Sequence, residues 1–243
     1  MMEQLKFRKF GRHAFLIDWK SKIDEIILDE ILTVNNYISE NFSEEIIETV
    51  SAYHSLAIYL KRDININSFI EKVKKSYTFM SKDITAKKNY IITIPVCYEI
   101  EYAPDILSVA SSHDHSIFEV IKLHTQTLYK VYFLGFLPGF PYLGGLDKRL
   151  YTSRKKKPRQ NIVKGSIGIG GKQTGIYTVD SPGGWNIIGR SPLQFFNTSA
   201  SQPTVINNGD YIKFVSISKK QYLKLDTSIK NGNYNIEKEV YND

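Results

Sequence analysis

Over residues 1–89 the apolar positions switch between a two-residue period and a helical one. Leu5–Phe10 and Ala14–Asp18, on either side of Gly11 and Arg12, predict two strands joined by a turn. After Ser21, a candidate N-cap, Ile23, Ile26, Ile27, Ile31, Val34 and Ile38 recur at helical spacing and predict an amphipathic helix. Ile46–Val50 and His54–Leu60 read as a second strand pair. Asn67–Lys75 reads as a second helix with Phe69, Ile70 and Val73 on its inner face. The order ββαββα describes a small α/β sandwich with helices against one sheet face.

The polar, charged run Ser81–Lys88 is the natural boundary, and a second region opens with the apolar strand Tyr90–Tyr98. Ser116 and Glu119 form a capping-box pair ahead of Ile117, Val120, Ile121 and His124, which predicts a helix. From Tyr129 helical periodicity stops. Lys130–Phe136, Ser166–Ile169, Ile176–Val179, Trp185–Ile188, Leu193–Phe196 and Tyr211–Ile217 are short apolar stretches separated by Gly, Pro, Asn and Ser clusters, the pattern of a β-barrel or sandwich. Asn207-Asn208-Gly209-Asp210 marks a turn before the last of them. The expected organisation is therefore α+β in two domains: an N-terminal α/β domain over 1–89, a barrel over 90–225, and a polar, frayed tail over 226–243.

Composition adds little to this until charge is placed along the chain. The net charge is +7, from 32 Lys and Arg against 25 Asp and Glu. Between Gly135 and Pro192 ten basic residues face two acids, a net +8, so the remainder of the chain carries −1. Twelve of the 15 glycines fall in the same segment. A basic surface built on exposed backbone suits an anionic small molecule or an acidic protein face. Nucleic acid is disfavoured, because no aromatic platform is interleaved with Arg or Lys at a regular spacing. No run approaches the ~20 apolar residues of a membrane span, and the charged start at Glu3, Lys6, Arg8 and Lys9 is unlike a signal peptide, so a cytoplasmic protein without membrane attachment is expected. The single cysteine, Cys97, lies in an apolar run and reads as a buried strand thiol.

Several candidate motifs fail on chemistry. Gly168-Ile169-Gly170-Gly171-Lys172-Gln173-Thr174 resembles a Walker loop, but Ser166 replaces the earlier glycine and Gln173 follows the lysine. A dinucleotide loop fails because Gln173 stands where its last glycine belongs. ATP, if used, is bound by another route or another chain. His113-Asp114-His115 offers two metal ligands and no third, so no metal site is expected. All five histidines lie at or before position 124, which leaves the Gly-rich segment without a general base of its own. His124 is the one placed to fold against it, although a partly buried histidine with a structural hydrogen bond is the favoured reading. Ser181-Pro182-Gly183-Gly184-Trp185 is a tight turn exposing backbone N–H groups beside an aromatic wall. Ser181 reads as a hydrogen-bonding turn residue, with a nucleophilic role as the alternative, since it lacks a G-x-S-x-G elbow. Arg159 and Arg190, at the edges of apolar stretches, have the planar fork that holds a carboxylate or phosphate.

Several strings, taken in order, resemble one family closely. They are Ile94-Pro95-Val96-Cys97-Tyr98, Leu134-Gly135-Phe136-Leu137-Pro138-Gly139-Phe140-Pro141-Tyr142-Leu143, Pro158-Arg159, Lys164-Gly165-Ser166-Ile167-Gly168-Ile169, Gln173-Thr174-Gly175-Ile176-Tyr177, Ser181-Pro182-Gly183-Gly184-Trp185 and Ile188-Gly189-Arg190. The family is that of the B subunits of bacterial ATP-dependent 5-oxoprolinase, also described as KipI-like or allophanate-hydrolase-like. The resemblance implies that the second domain is a cyclophilin-like β-barrel, without implying prolyl isomerase activity. It implies A and C partner subunits and an assembly that couples ATP hydrolysis to opening 5-oxo-L-proline into L-glutamate, this chain being inactive alone. Two alternatives come with the family: a regulatory protein that inhibits a sporulation-type histidine kinase through the basic loop Arg154–Lys157, and a carboxyltransferase-like half-enzyme related to urea carboxylase.

Joined to the basic excess and the glycines, the resemblance assigns a site. Arg159 and Arg190 would hold a carboxylate or a phosphorylated intermediate of a lactam or amide substrate. Gln173, Thr174, Ser181 and the Gly183-Gly184 backbone would supply hydrogen bonds, Tyr142 and Trp185 would wall the pocket, and His124 would move protons.

Overall fold

The computed structural model describes residues 5–80 and 88–241. The polar run read as the domain boundary lies almost wholly outside them, at 81–87. The chain divides into two compact units, Met1–Lys87 and Lys88–Asp243.

The first unit has the order β1 (Lys6–Lys9), β2 (Ala14–Asp18), α1 (Glu25–Asn41), β3 (Ile46–Ser51), β4 (Ser55–Leu60) and α2 (Ile66–Met80). Its strands form one antiparallel sheet in the order β1-β2-β4-β3. α1 and α2 bury Ile31, Val34, Ile38, Phe69, Ile70 and Val73 against Phe15, Ile17, Leu56, Ile58 and Leu60. The first helix starts later than the sequence suggests. Asp24, not Ser21, is its N-cap, and its carboxylate accepts from the Ile26 N–H at 3.0 Å. The inward stripe therefore begins at Leu28, while Ile23 and Ile26 are exposed.

The second unit contains β5 (Tyr90–Cys97), α3 (Ile106–Ser111), α4 (Ile117–Thr125), β6 (Leu128–Leu134), β7 (Pro141–Gly144), β8 (Arg159–Ile162), β9 (Ser166–Gly170), β10 (Gln173–Ile176), β11 (Ser181–Gly183), β12 (Asn186–Arg190), β13 (Tyr211–Ile217), α5 (Lys219–Lys230) and β14 (Lys238–Val240). Strands run in the order β12-β9-β10-β7-β6-β13-β5, and β12 pairs back onto β5 at Arg190 and Cys97, closing a seven-stranded cyclophilin-like barrel. β13 and β5 are parallel neighbours; the other barrel pairs are antiparallel. Closure removes the long open edges on which another chain could pair. Ile92, Ile94, Val131, Leu143, Ile167, Ile169, Ile176, Ile188, Ile212 and Phe214 belong to one buried core, with Val120 and Leu123 of α4 packed into it. The capping box at Ser116 and Glu119 is formed on both sides.

Two local expectations change. Leu193–Phe196 forms no strand, contributing only the isolated bridge between Phe196 and Thr204. The described part of the expected frayed tail, 226–241, is structured. Its first residues complete α5, capped by Ser218 and Gln221, and β14 adds antiparallel to Tyr90–Ile92 of β5. Three residues are too few for alternation to register in the sequence; the stretch of β5 that β12 leaves unpaired stabilises them as a strand. Cys97 is buried as expected, at the end of β5.

Candidate functional site

β9 and β10 position the site because their two faces carry different residues. Period-two alternation sends Ile167, Ile169, Thr174 and Ile176 into the barrel and leaves Gly168, Gly170, Gln173 and Gly175 on the outer face. A Cβ at Gly170 would lie 2.6 Å from the Trp185 ring, and one at Gly175 would lie 2.9 Å from the Phe140 ring. The glycines thus clear a floor on which aromatic side chains lie directly against the sheet. The N–H and C=O groups of Gly168 and Gly170 sit in ladders to β10 and β12, so this stretch cradles no phosphate.

On that floor Phe140 stands edge-on to Trp185 (5.4 Å, 88°) and to Tyr177 (5.3 Å, 85°), with Tyr142 at 5.1 Å. Tyr142 also stacks on Phe133 at 4.4 Å. The Arg154 guanidinium lies 5.6 Å from the Trp185 ring centre, a cation–π distance. Burial raises the Tyr142 and Tyr177 hydroxyl pKa values, so both remain protonated donors at neutral pH.

The polar side of the site is organised by a residue that the sequence does not single out. Asp105, 3% exposed, accepts from Arg159 Nη2 and Lys155 Nζ at Oδ1, both at 2.7 Å, and from the Ile187 N–H at Oδ2, also 2.7 Å. Burial alone would raise its pKa. The hydrogen bonds from Arg159 and Lys155 outweigh that and hold the carboxyl below its usual value. Its signal in the sequence is faint: an acid just before the apolar spacing of Ile106, Val109 and Ala110. Phe140 and Tyr177, at the centre of the aromatic layer, likewise carry no separate mark of a site, although both stand in the family strings.

Of the predicted residues, the structure brings together Tyr142, Trp185 and Arg159, with Gly183 opposite Arg159 in the β8–β11 pair. Gly184 offers its carbonyl rather than a free donor, accepting from the Lys155 N–H at 2.7 Å. Arg190 goes elsewhere. Its guanidinium lies 5.6 Å from the Tyr102 ring centre, and Tyr102 stacks with Tyr222 beside buried Cys97. The two arginines therefore serve different neighbourhoods rather than one clamp. Four polar atoms in the predicted set are buried with no hydrogen-bond partner among the described residues: Arg159 Nη1, Gln173 Nε2, Ser181 Oγ and Arg190 Nε. Unspent polar capacity of this kind is costly in a fold.

His124 and Thr174 are not on this face. His124 is 0% exposed, with Nδ1 2.8 Å from the Tyr98 hydroxyl and Nε2 3.0 Å from Thr174 Oγ1. Thr174 Oγ1 donates to the Gly168 carbonyl, so it must accept from His124 Nε2–H, and Nδ1 accepts from Tyr98. Burial pushes the His124 pKa down to about 3. A neutral imidazole with both nitrogens engaged, stacked on Phe214 at 4.6 Å, is a core residue, which corrects its assignment to proton transfer. His113 approaches the β9–β10 turn only through Thr152. Its Nε2 lies 3.1 Å from Thr152 Oγ1, and Thr152 pairs with Gly171. In the basic loop Lys155 pairs with Asp105 and Arg154 lies over Trp185, while Arg154, Lys156 and Lys157 are exposed.

Residues 5–206 match the family described as carboxyltransferase domain, subdomain C and D. The chain is 38% identical to the B subunit of 5-oxoprolinase from Bacillus subtilis (strain 168), over 91% of this chain and 97% of that protein. The crystal structure of TTHA0988 is similar with a TM-score of 0.75 at 27% identity, covering 84% of this chain. Kluyveromyces lactis urea carboxylase shares the fold, with a TM-score of 0.78 at 18% identity over 98% of this chain. This chain spans only 40% of the TTHA0988 chain and 24% of the urea carboxylase. No helix among the described residues is long and apolar enough to cross a membrane.

Proposed function

The chain belongs to the family of carboxyltransferase domains of subdomain C and D type, and from that premise we propose that it is the B-type subunit of a cytoplasmic, ATP-dependent 5-oxoprolinase, working with A and C subunits to open 5-oxo-L-proline into L-glutamate. The observation that carries the reading is the 38% identity to the 5-oxoprolinase B subunit of Bacillus subtilis over 97% of that protein. A five-membered lactam bearing a carboxylate presents apolar ring edges and one anionic end, and the half-buried side chains of Tyr142 and Arg159 offer a counterpart to each.

A lactam is a poor electrophile until its oxygen is phosphorylated or polarised, and opening it then requires donors aimed at developing negative charge. Arg159, Gln173 and Ser181 supply such donors in this proposal. Proton transfer and ATP binding fall to the partner subunits, because the glycine strands spend their amides in ladders and His124 is sealed in the core. The chain alone would then be inactive.

The test is co-purification with the two partner subunits and an assay for glutamate from 5-oxoproline plus ATP. Glutamate should form only when all three chains are present. Assembly without turnover, or turnover without this chain, would overturn the proposal. A second reading, carboxyl transfer to a urea-like amide, is favoured by the description of the matching family. It predicts dependence on a biotin-carrying partner, which the same preparation can be tested for.

A further inference from the structure

We propose that the first unit holds a binding site of its own, for a small phosphorylated anion. Period-two alternation sends Phe7, Phe15 and Ile17 toward α1 and α2, so Lys6, Arg8 and Asp18 stand on the opposite face of the sheet. At that face a cavity of about 690 Å³ is lined by Lys6, Arg8 and Lys20, by Ser21 and His54, and by Trp19 at its wall. Asp18 is the one acid lining it among the described residues, and its carboxylate is taken up by the Arg8 guanidinium, Nε on Oδ2 and Nη2 on Oδ1. Lys6 and Lys20 have no ion pair among the described residues.

The first unit is neutral overall, with 13 Lys and Arg against 13 Asp and Glu over residues 1–87. Six of the bases and only two of the acids, Glu3 and Asp18, fall within residues 1–22, a local +4 against −4 for the rest of the unit. Cations drawn together around one hollow repel each other, and an anion between them relieves that repulsion. Main-chain bonds fix the frame that carries them. Trp19 N–H donates to the His54 carbonyl at 2.8 Å, tying the end of β2 to the β3–β4 turn, and Lys22 N–H donates to the Lys20 carbonyl at 2.7 Å across the turn that carries Ser21. The Trp19 indole N–H donates to Glu30 Oε2 at 3.0 Å, which sets the wall. Two ammonium groups, a hydroxyl, an imidazole and the Arg8 Nη1 that Asp18 leaves free thus reach one cavity from β1 and from two separate turns. A tetrahedral phosphate presents oxygens in several directions to such a set, whereas a planar carboxylate presents only two.

Calorimetric titration of the full chain with inorganic phosphate at fixed ionic strength tests the site, and it needs neither a partner subunit nor the 5-oxoprolinase reading. A single saturable phosphate site should appear. Lys6→Ala combined with Lys20→Ala should weaken it about tenfold through the loss of charge-assisted contacts. Both side chains are exposed, so the variant should keep the parental Tm. Lys220→Ala combined with Lys224→Ala removes the same charge from exposed positions of α5 and should leave affinity within about twofold, because the salt screens a general charge effect. Succinate, a dicarboxylate of similar charge, should bind about tenfold more weakly than phosphate. Absence of saturable phosphate binding would overturn the proposal. So would equal weakening by the two pairs of substitutions, which would make net charge rather than the cavity the determinant. Succinate binding as tight as that of phosphate would overturn the choice of a phosphorylated ligand.

Discussion

Inside the barrel, β10 presents Thr174 to a closed chain of hydrogen bonds running from the Tyr98 hydroxyl through His124 and Thr174 to the Gly168 carbonyl. On the outer face of the same strand, Gly175 gives way to the Phe140 ring and Gln173 Nε2 has no partner among the described residues. The inner face spends its polar capacity and holds a neutral histidine. The outer face carries a packed, buried aromatic layer and the Gln173 donor with no partner among the described residues. One strand can do both because successive residues point to opposite sides. Proximity in sequence, which places Thr174 beside Gln173, is therefore a poor guide to shared function here.

That contrast can be broken from either side. The largest effect is expected inside: His124→Ala leaves a cavity and strands the Tyr98 and Thr174 hydroxyls, for a loss of about 4 kcal/mol in denaturant unfolding. Retention of parental stability would remove His124 from the core. On the outer face, Gly170→Ala forces a Cβ against the Trp185 ring and should cost about 2 kcal/mol, with a changed Trp fluorescence spectrum as the local signature. A neutral outcome would mean that the aromatic layer is not seated on the sheet as described.

Taken per pH unit, the smallest effect is also the most specific. The His124 pKa is lowered to about 3 in the folded chain, against 6.5 in the unfolded one. Between those values the unfolded state binds the proton and the folded state does not, so stability rises with pH across the window. The contribution is complete above pH 6.5 and is lost as pH falls toward 3, at about 1.4 kcal/mol per pH unit. His124→Gln should flatten this part of the stability profile; an unaltered slope would show that the imidazole does not titrate in this way.

Much of the fold is legible in the sequence because it rests on strong periodicity. The ββαββα order, the capping box at Ser116 and Glu119 and the last barrel strand all follow from patterns of several residues. The parts that are not legible depend on tertiary partners. α3 is only six residues long, β14 only three, and β14 exists because β5 offers it an edge. The site divides similarly. Tyr142, Trp185 and Arg159 can be named from glycine, charge and family strings, and the structure gathers them. Asp105 cannot, because its role comes from being 54 residues away from Arg159 in sequence and hydrogen-bonded to it in space. His124 misleads for the opposite reason. It stands next to the right strand in sequence, but the helix delivers it to the wrong side.

The most direct test of the two-face account compares Arg159→Ala with His124→Gln in the reconstituted complex, each assayed well below its own Tm for glutamate formation from 5-oxoproline and ATP. The account predicts that Arg159→Ala lowers kcat/KM about a hundredfold while the chain stays folded, and that His124→Gln, although less stable, keeps activity within about threefold of the parent. A folded His124→Gln variant that is inactive, beside an Arg159→Ala variant that is fully active, would contradict it and move the functional face to the inside of the barrel.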